Sequence, residues 1–215
     1  MVGPDGHVTG LDHDPVSLDF AQRYLTPFPF KNWDLVHADL ESSTSRVGGY
    51  DVVLLMNCIG YLESPESAVK KIAAHAKPGT RIVVKDFDLG SVFLSPLDLE
   101  QFAKLVAAAK IANDSNNPLK FDNFLGRRVP FLHNTHDFAS HHYDIWAQCL
   151  SYPFNPFEVE YIWRNIEALV LQARANCDRA TLSYFENLFC RDEKPFFKTE
   201  GSLFIENEYL AVLTV

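Results

Sequence analysis

The sequence predicts an α/β fold: a largely parallel sheet with helices on both faces, an antiparallel last strand, and a helical insertion before that strand. Three observations lead there. Val52–Met56 and Arg81–Val84 are short apolar runs with β-branched residues and little alternation, as in strands covered on both faces. A single helix lies between them, with Ser64 placed to cap it, Pro65 suited to its first turn, and Pro78-Gly79 closing it. Strand, helix and strand within about 35 residues make a right-handed crossover unit. The third observation is a final apolar run, Tyr209–Val215, after two long helical segments.

Composition bounds the function. The chain has 215 residues, 47% of them hydrophobic, enough for one domain with a decorated core. A net charge of −9 argues against a broad nucleic-acid surface, which needs clustered Lys and Arg. Arg127-Arg128 is the one local basic spot. No apolar run reaches the roughly 18–20 residues of a membrane span, and no signal peptide is visible at the start. Cys58, Cys149, Cys177 and Cys190 form no CxxC pair, so free thiols in a reducing cytoplasm are expected.

The elements follow in order. His7–Asp12 is a short strand after a Pro-Asp-Gly turn, and Asp14-Pro15 opens a helix running to about Tyr24. Asp12 ends its strand, where a carboxylate can accept both hydroxyls of a ribose or can simply cap the following helix. Trp33–Ala38 is the next strand, followed by Asp39, Leu40 and Glu41. A carboxylate at Asp39 suits an exocyclic amino donor, with the next backbone N–H serving a ring nitrogen; an ordinary polar loop residue is the alternative. Val52–Met56 ends at Asn57, whose amide either binds a ligand or caps the strand. Cys58 reads as a packed residue rather than a nucleophile.

Beyond the crossover, Ser95, Pro96 and Asp98 open a helix that ends in a polar loop at Asn113 to Asn117. Phe121–Pro130 follows as a loop. His133, His136, His141 and His142 cluster in sequence. Their spacing is weak for a metal site, and none is expected. His133 or His136 is instead a candidate general base, ranked below a structural role. Tyr143–Pro153 reads as a strand, Asn155-Pro156 opens a helix to about Asn176, and Asp178 caps another to about Phe189.

The stretch Tyr50-Asp51-Val52-Val53, the turn Gly60-Tyr61-Leu62 and the segment Lys77-Pro78-Gly79-Thr80-Arg81-Ile82 resemble, in order and spacing, the class I S-adenosylmethionine-dependent methyltransferases. Gly10-Leu11-Asp12-His13-Asp14-Pro15 resembles that family's second-strand motif. The resemblance implies a Rossmann-like methyltransferase sheet and S-adenosyl-L-methionine as cofactor. Asp12 would hold the ribose, His13 would lie near the adenine, Asp39 and Leu40 would meet the adenine ring, and Asn57 would meet the methionine part or the methyl acceptor. The hairpin-like Ser202–Val215 resembles the family's closing strand pair. One methyltransferase-like domain over residues 1–215 is implied, with a cofactor part at 1–90, a helix and loop over the pocket at 91–142, and an insertion or lid at 154–192.

The family's first strand and glycine-rich loop do not occur in the sequence, which enters in mid-motif at Val2-Gly3-Pro4. Three outcomes are expected for the central gap this leaves. The chain is a truncated reading, or a second copy or partner chain fills the gap, or the two flanking strands pair directly; truncation is favoured. The implied function is methyl transfer to oxygen or nitrogen of a small-molecule acceptor. The alternative is a catalytically inactive methyltransferase-like protein that acts as a binding partner. A nucleotide-dependent oxidoreductase lacks its GxGxxG fingerprint here.

Overall fold

Strand pairing divides the chain into two sheets. The computed structural model describes residues 2–42, 44–115, 121–189 and 194–215. Cys190 and Asn117 lie outside them. The first sheet holds two parallel strands, β1 (Val8–Asp12) and β2 (Trp33–His37), joined by helix α1 (Pro15–Leu25). The second holds β3 (Val52–Met56), β4 (Arg81–Phe87), β5 (Phe93–Ser95), β6 (Ser140–Ser151) and β7 (Leu203–Thr214).

In the second sheet β3 and β4 are parallel, with α2 (Pro65–His75) as their crossover. Ser64 caps α2 through Ser67 N–H, and Gly79, at φ +86°, turns the chain out of it in the left-handed region that favours glycine. Strand β7 runs antiparallel to β4, β5 and β6. The expected α/β sheet with helices on its faces and an antiparallel last strand is therefore present. The closing hairpin is a correction: residues 203–214 form one continuous strand, whose partners come from earlier in the chain. β6 pairs with β7 over its whole length, which sustains one strand across the segment read as hairpin-like. Direct pairing of β1 with β3 is not observed; the two strands lie in separate sheets.

The remaining helices are α3 (Leu99–Ser115), α4 (Pro156–Ala173), α5 (Arg179–Phe189) and the short α6 (Pro195–Lys198). Asp98 caps α3 by accepting from Glu100 and Gln101 N–H, so Ser95-Pro96 belongs to β5 and its exit rather than to the helix. Asn155 and Glu158 form a reciprocal capping box on α4.

Two cores result. One lies between α3, α4, α5, α6 and the far end of β7, with Ile166, Phe185, Phe189, Phe196 and Phe204 fully buried. The other lies on the opposite face of the sheet, where α2 and the 3-10 segment Gly126–Thr135 cover Leu55, Ile82, Val84, Ala211 and Leu213. Gly126 allows that approach: a Cβ there would lie 2.6 Å from the Phe87 carbonyl. Phe121–Pro130 is therefore a packed segment, with Phe124, Leu125 and Val129 in the cores.

Candidate functional site

Three parallel strands end on one side of the molecule, and each end presents a polar residue. Asp12 is the last residue of β1, Asp39 follows β2, and Asn57 follows β3. The Ala38 N–H donates to the Asp12 carbonyl at 2.9 Å, which locks the first two ends together. Leu40, Cys58 and Leu62 each pack against the second core, and Glu41 accepts from Ser64 N–H at 3.3 Å. These contacts fasten the β2 end to the β3 end and to the start of α2.

Each side chain has local work. Asp12 Oδ1 accepts from Asp14 N–H at 2.9 Å and lies 3.5 Å from His13 Nδ1, leaving Oδ2 available. Asp14 is the helix cap, accepting from Val16 and Ser17 N–H; the Ser17 hydroxyl and the Val16 N–H hold its carboxyl below the usual range. His13 is exposed, and its carbonyl contacts His37 Nε2 at 3.0 Å. Asp39 Oδ1 accepts from Glu41 N–H at 2.9 Å.

Asn57 shows the most specific geometry. Its φ of +51° is left-handed, a conformation Asn tolerates better than most residues. Its backbone N–H extends the β3–β4 ladder to the Lys85 carbonyl at 2.8 Å, and its Oδ1 accepts from Lys85 Nζ at 2.9 Å. Lysine is only a donor, so the contact fixes which amide atom is Oδ1. The Asn57 Nδ2 group is left to act as a donor. Lys85 in turn pairs with Glu208, and both of these side chains are nearly buried.

Burial tunes the groups behind this edge. Asp86, at 0% exposure, is pushed up to about 6 by desolvation, against hydrogen bonds from Phe87 and Gly60 N–H. Burial pushes the Cys58 thiol up to about 11, with Asp86 and Asp12 adding to the effect, which fits packing and not nucleophilic attack. Glu206, two residues from Glu208, is raised to about 7 by desolvation although Tyr161 OH donates to it at 2.9 Å.

Sequence reasoning placed Asp86 at a strand end but missed Lys85, Glu206 and Glu208. The signal was present: ionisable residues interrupt the apolar strands RIVVKDF and LFIENEYLAVLT, and a buried ionisable group needs a partner.

His133 and His136, the candidate general bases, are not brought to this edge. The His133 ring stacks on His141 at 4.3 Å, and His141 pairs with Leu213, itself opposite Ile82 near the start of β4. Ala139, three residues after His136, bonds to Thr214 at the same end. Asn57 follows Met56, which pairs with Lys85. Three residues along β4 separate Ile82 from Lys85, about 10 Å at a strand's rise, with β7 intervening as well. Strand direction thus places the four histidines at the other end of β4 from Asn57. Among the described residues no group of three or more His, Cys, Asp or Glu could hold a metal.

Arg127 and Arg128 are both engaged. Arg127 Nε and Nη2 reach the fully buried Asp88 carboxylate at 2.5 and 2.7 Å, and Arg128 pairs with Glu66 and Asp122. No helix among the described residues is long and apolar enough to cross a membrane.

Residues 2–82 match the family model described as a methyltransferase domain. The YcgJ protein of Bacillus subtilis superposes with a TM-score of 0.53 at 11% identity, over 97% of this chain and 82% of that one. A protein of Bacillus halodurans C-125, provisionally named a methyltransferase, superposes with a TM-score of 0.54 at 10% identity, over 96% and 82%. No relative among curated proteins was found by sequence. Residues 2–82 thus match a methyltransferase domain, and nearly the whole chain shares the fold of these two structures.

Proposed function

We propose that the protein transfers a methyl group from S-adenosylmethionine to oxygen or nitrogen of a small-molecule acceptor. The observation that carries the proposal is the methyltransferase-domain match over residues 2–82, the stretch that holds Asp12, His13, Asp39, Leu40 and Asn57. The residues present fit the nucleoside half of the cofactor. Asp12 keeps a carboxylate oxygen for the ribose hydroxyls, and Asp39 with the Leu40 N–H offers an acceptor and a donor to the adenine edge. Asn57 presents a donor, which suits a carboxylate or another oxygen of the cofactor or acceptor. The cofactor supplies an electrophilic methyl group on a sulfonium. The protein holds the acceptor in line with it and gives the acceptor proton a route out. Burial raises the Asp86 carboxyl to about 6, and its neighbour Lys85 contacts Asn57, so Asp86 is the carboxylate to examine for that route. The free thiols Cys58, Cys149 and Cys177 support a cytoplasmic setting. The net charge of −9 supports a small molecule over nucleic acid as substrate.

One observation favours the second reading, an inactive protein that binds a partner. Strands β1 and β3 do not pair, and β3 exposes Val52, Leu54 and Met56. A strand from another chain or a second copy would fill that seam and cover the apolar face. Calorimetry with S-adenosylmethionine separates the two. Binding that is weakened by Asp12→Ala supports the enzyme; no binding by the chain, alone or mixed with its cellular partner, leaves the binding protein.

A further inference from the structure

The edge opposite the seam is formed by β6, and its chemistry is unusual for an open edge. The strand SHHYDIWAQCLS is 12 residues long and pairs with β7 at every position without a bulge. It contains no Pro, Lys or Arg, the residues that commonly keep a free edge from pairing. Its first eight residues are all exposed, and Tyr143, Ile145 and Trp146 remain 52%, 51% and 42% accessible. Phe131, in the neighbouring 3-10 segment, is 65% accessible.

The backbone shows which groups are available. In an antiparallel strand successive residues turn their N–H and C=O alternately to one neighbour and the other. Tyr152 N–H donates to the Ser202 carbonyl on the β7 side, so even-numbered residues bond inward and odd-numbered ones face out. The Ile145 N–H agrees: it is met by the Asp144 carboxylate at 2.8 Å and not by β7. His141, Tyr143 and Ile145 therefore form an outward ladder.

From this we infer that β6 is a dimerisation edge, on which the β6 of a second copy adds antiparallel about a two-fold axis at Tyr143. A two-fold axis normal to the sheet pairs residues on the same face, so it lies midway between one residue and its own copy. Axes between His141 and Trp146 differ in the charges they oppose. An axis at Asp144 sets two carboxylates face to face. An axis at Tyr143 sets His142 against Asp144 twice, His141 against Ile145 twice, and Tyr143 against itself, with that pair exchanging both backbone hydrogen bonds. This is the one register in that range that places the histidine beside the carboxylate. The rings of His133, His141 and Tyr143 are already stacked on one another, at 4.3 and 6.4 Å between centroids, so the patch needs little reordering. Asp144 exchanges the Ile145 N–H for His142 of the second copy.

Sedimentation equilibrium of the whole chain at pH 6.5, across micromolar to hundred-micromolar concentrations, tests this. The expected result is a monomer–dimer equilibrium. His142→Asp should weaken it by about tenfold, because it opposes carboxylates at both pairs. The double variant His142→Asp with Asp144→His should restore it. Leu54→Lys, on the seam side, should leave it unchanged. A monomer at all concentrations overturns the proposal. So does a dimer indifferent to His142→Asp, one not rescued by the double variant, or one abolished by Leu54→Lys. Circular dichroism of the exposed-site variants separates lost pairing from lost fold.

Discussion

The unit β1–α1–β2 and the five-stranded unit that follows it are built from the same strand–helix–strand idea, yet they are anchored very differently. Helix α1 has no buried residue, and β1 and β2 have none either. Val16, Phe20 and Tyr24 on α1 are 70%, 64% and 62% exposed. Helix α4, in the second unit, buries six residues, and β4 and β7 alternate buried and half-buried side chains throughout most of their length. The first unit contains Asp12, His13 and Asp39, so most of the candidate cofactor contacts sit on the part with the least core. Local stability follows buried apolar contact, and a site on the weaker unit can adjust to a ligand at little cost to the rest. The difference teaches that the second unit holds the fold together, while the first is ordered chiefly by its strand pairing and by contacts such as that of the Tyr50 hydroxyl with Thr9.

The largest expected effect is in the strong core. Phe204→Ala empties a site at 0% exposure beside Tyr161 and should cost about 3–5 kcal/mol in urea unfolding. Phe20→Ala, the same deletion on α1, should cost less than about 0.5 kcal/mol. Equal losses would break the contrast between the units.

Next comes the buried carboxylate of Asp88. Arg127→Met removes its partner and strands a charge in the interior, costing about 3 kcal/mol, at the low end for such a loss because Arg127 is half exposed. Stability unchanged by Arg127→Met would mean that the backbone N–H groups of Gly90 and Arg127 suffice for the Asp88 carboxylate.

A pH effect of similar size belongs to Glu206. Its folded-state pKa of about 7 lies above the ordinary glutamate value of 4.5, so between these values the native state holds the extra proton. Stability is therefore full below the window and falls as pH rises through it, by on the order of 3 kcal/mol. Asp86, raised to about 6, acts with the same sign over a lower range. Glu206→Gln should flatten the decline, leaving the part due to Asp86. An identical slope in the variant would assign the effect elsewhere.

Asp12→Ala should weaken S-adenosylmethionine binding by about 1–3 kcal/mol in calorimetry while leaving the urea midpoint of the second unit in place. A shift in that midpoint would tie the two units more closely than their contacts suggest. The smallest effect is at a helix start: Asn155→Ala removes one half of the α4 capping box and should lower stability by about 1 kcal/mol.

Local chemistry was legible in the sequence. Caps at Asp14, Ser64, Asp98, Asn155 and Asp178, apolar runs in β3 and β4, and the crossover helix between them all follow from neighbours a few residues away. Such signals place a strand end, and with it Asp12, Asp39 and Asn57, on the carboxyl side of a parallel sheet. What the sequence could not state was which distant residues share a face. Ser202–Val215 looked like two strands because Glu206, Asn207 and Glu208 are polar in the middle of an apolar run. Only the fold shows that Tyr161 and Lys85 meet two of those carboxylates and let the strand continue. His133 and His136 looked available for chemistry because sequence spacing says nothing of strand direction; the antiparallel register of β6 and β7 carries them to the amino end of β4. The polarity of the Asn57 amide likewise came from Lys85, a residue 28 positions away that sequence proximity does not reveal. Caps and apolar runs are local interactions and can be read residue by residue. Partner choice for a buried charge, strand register and the end of a sheet on which a side chain falls are long-range, and tertiary packing alone decides them.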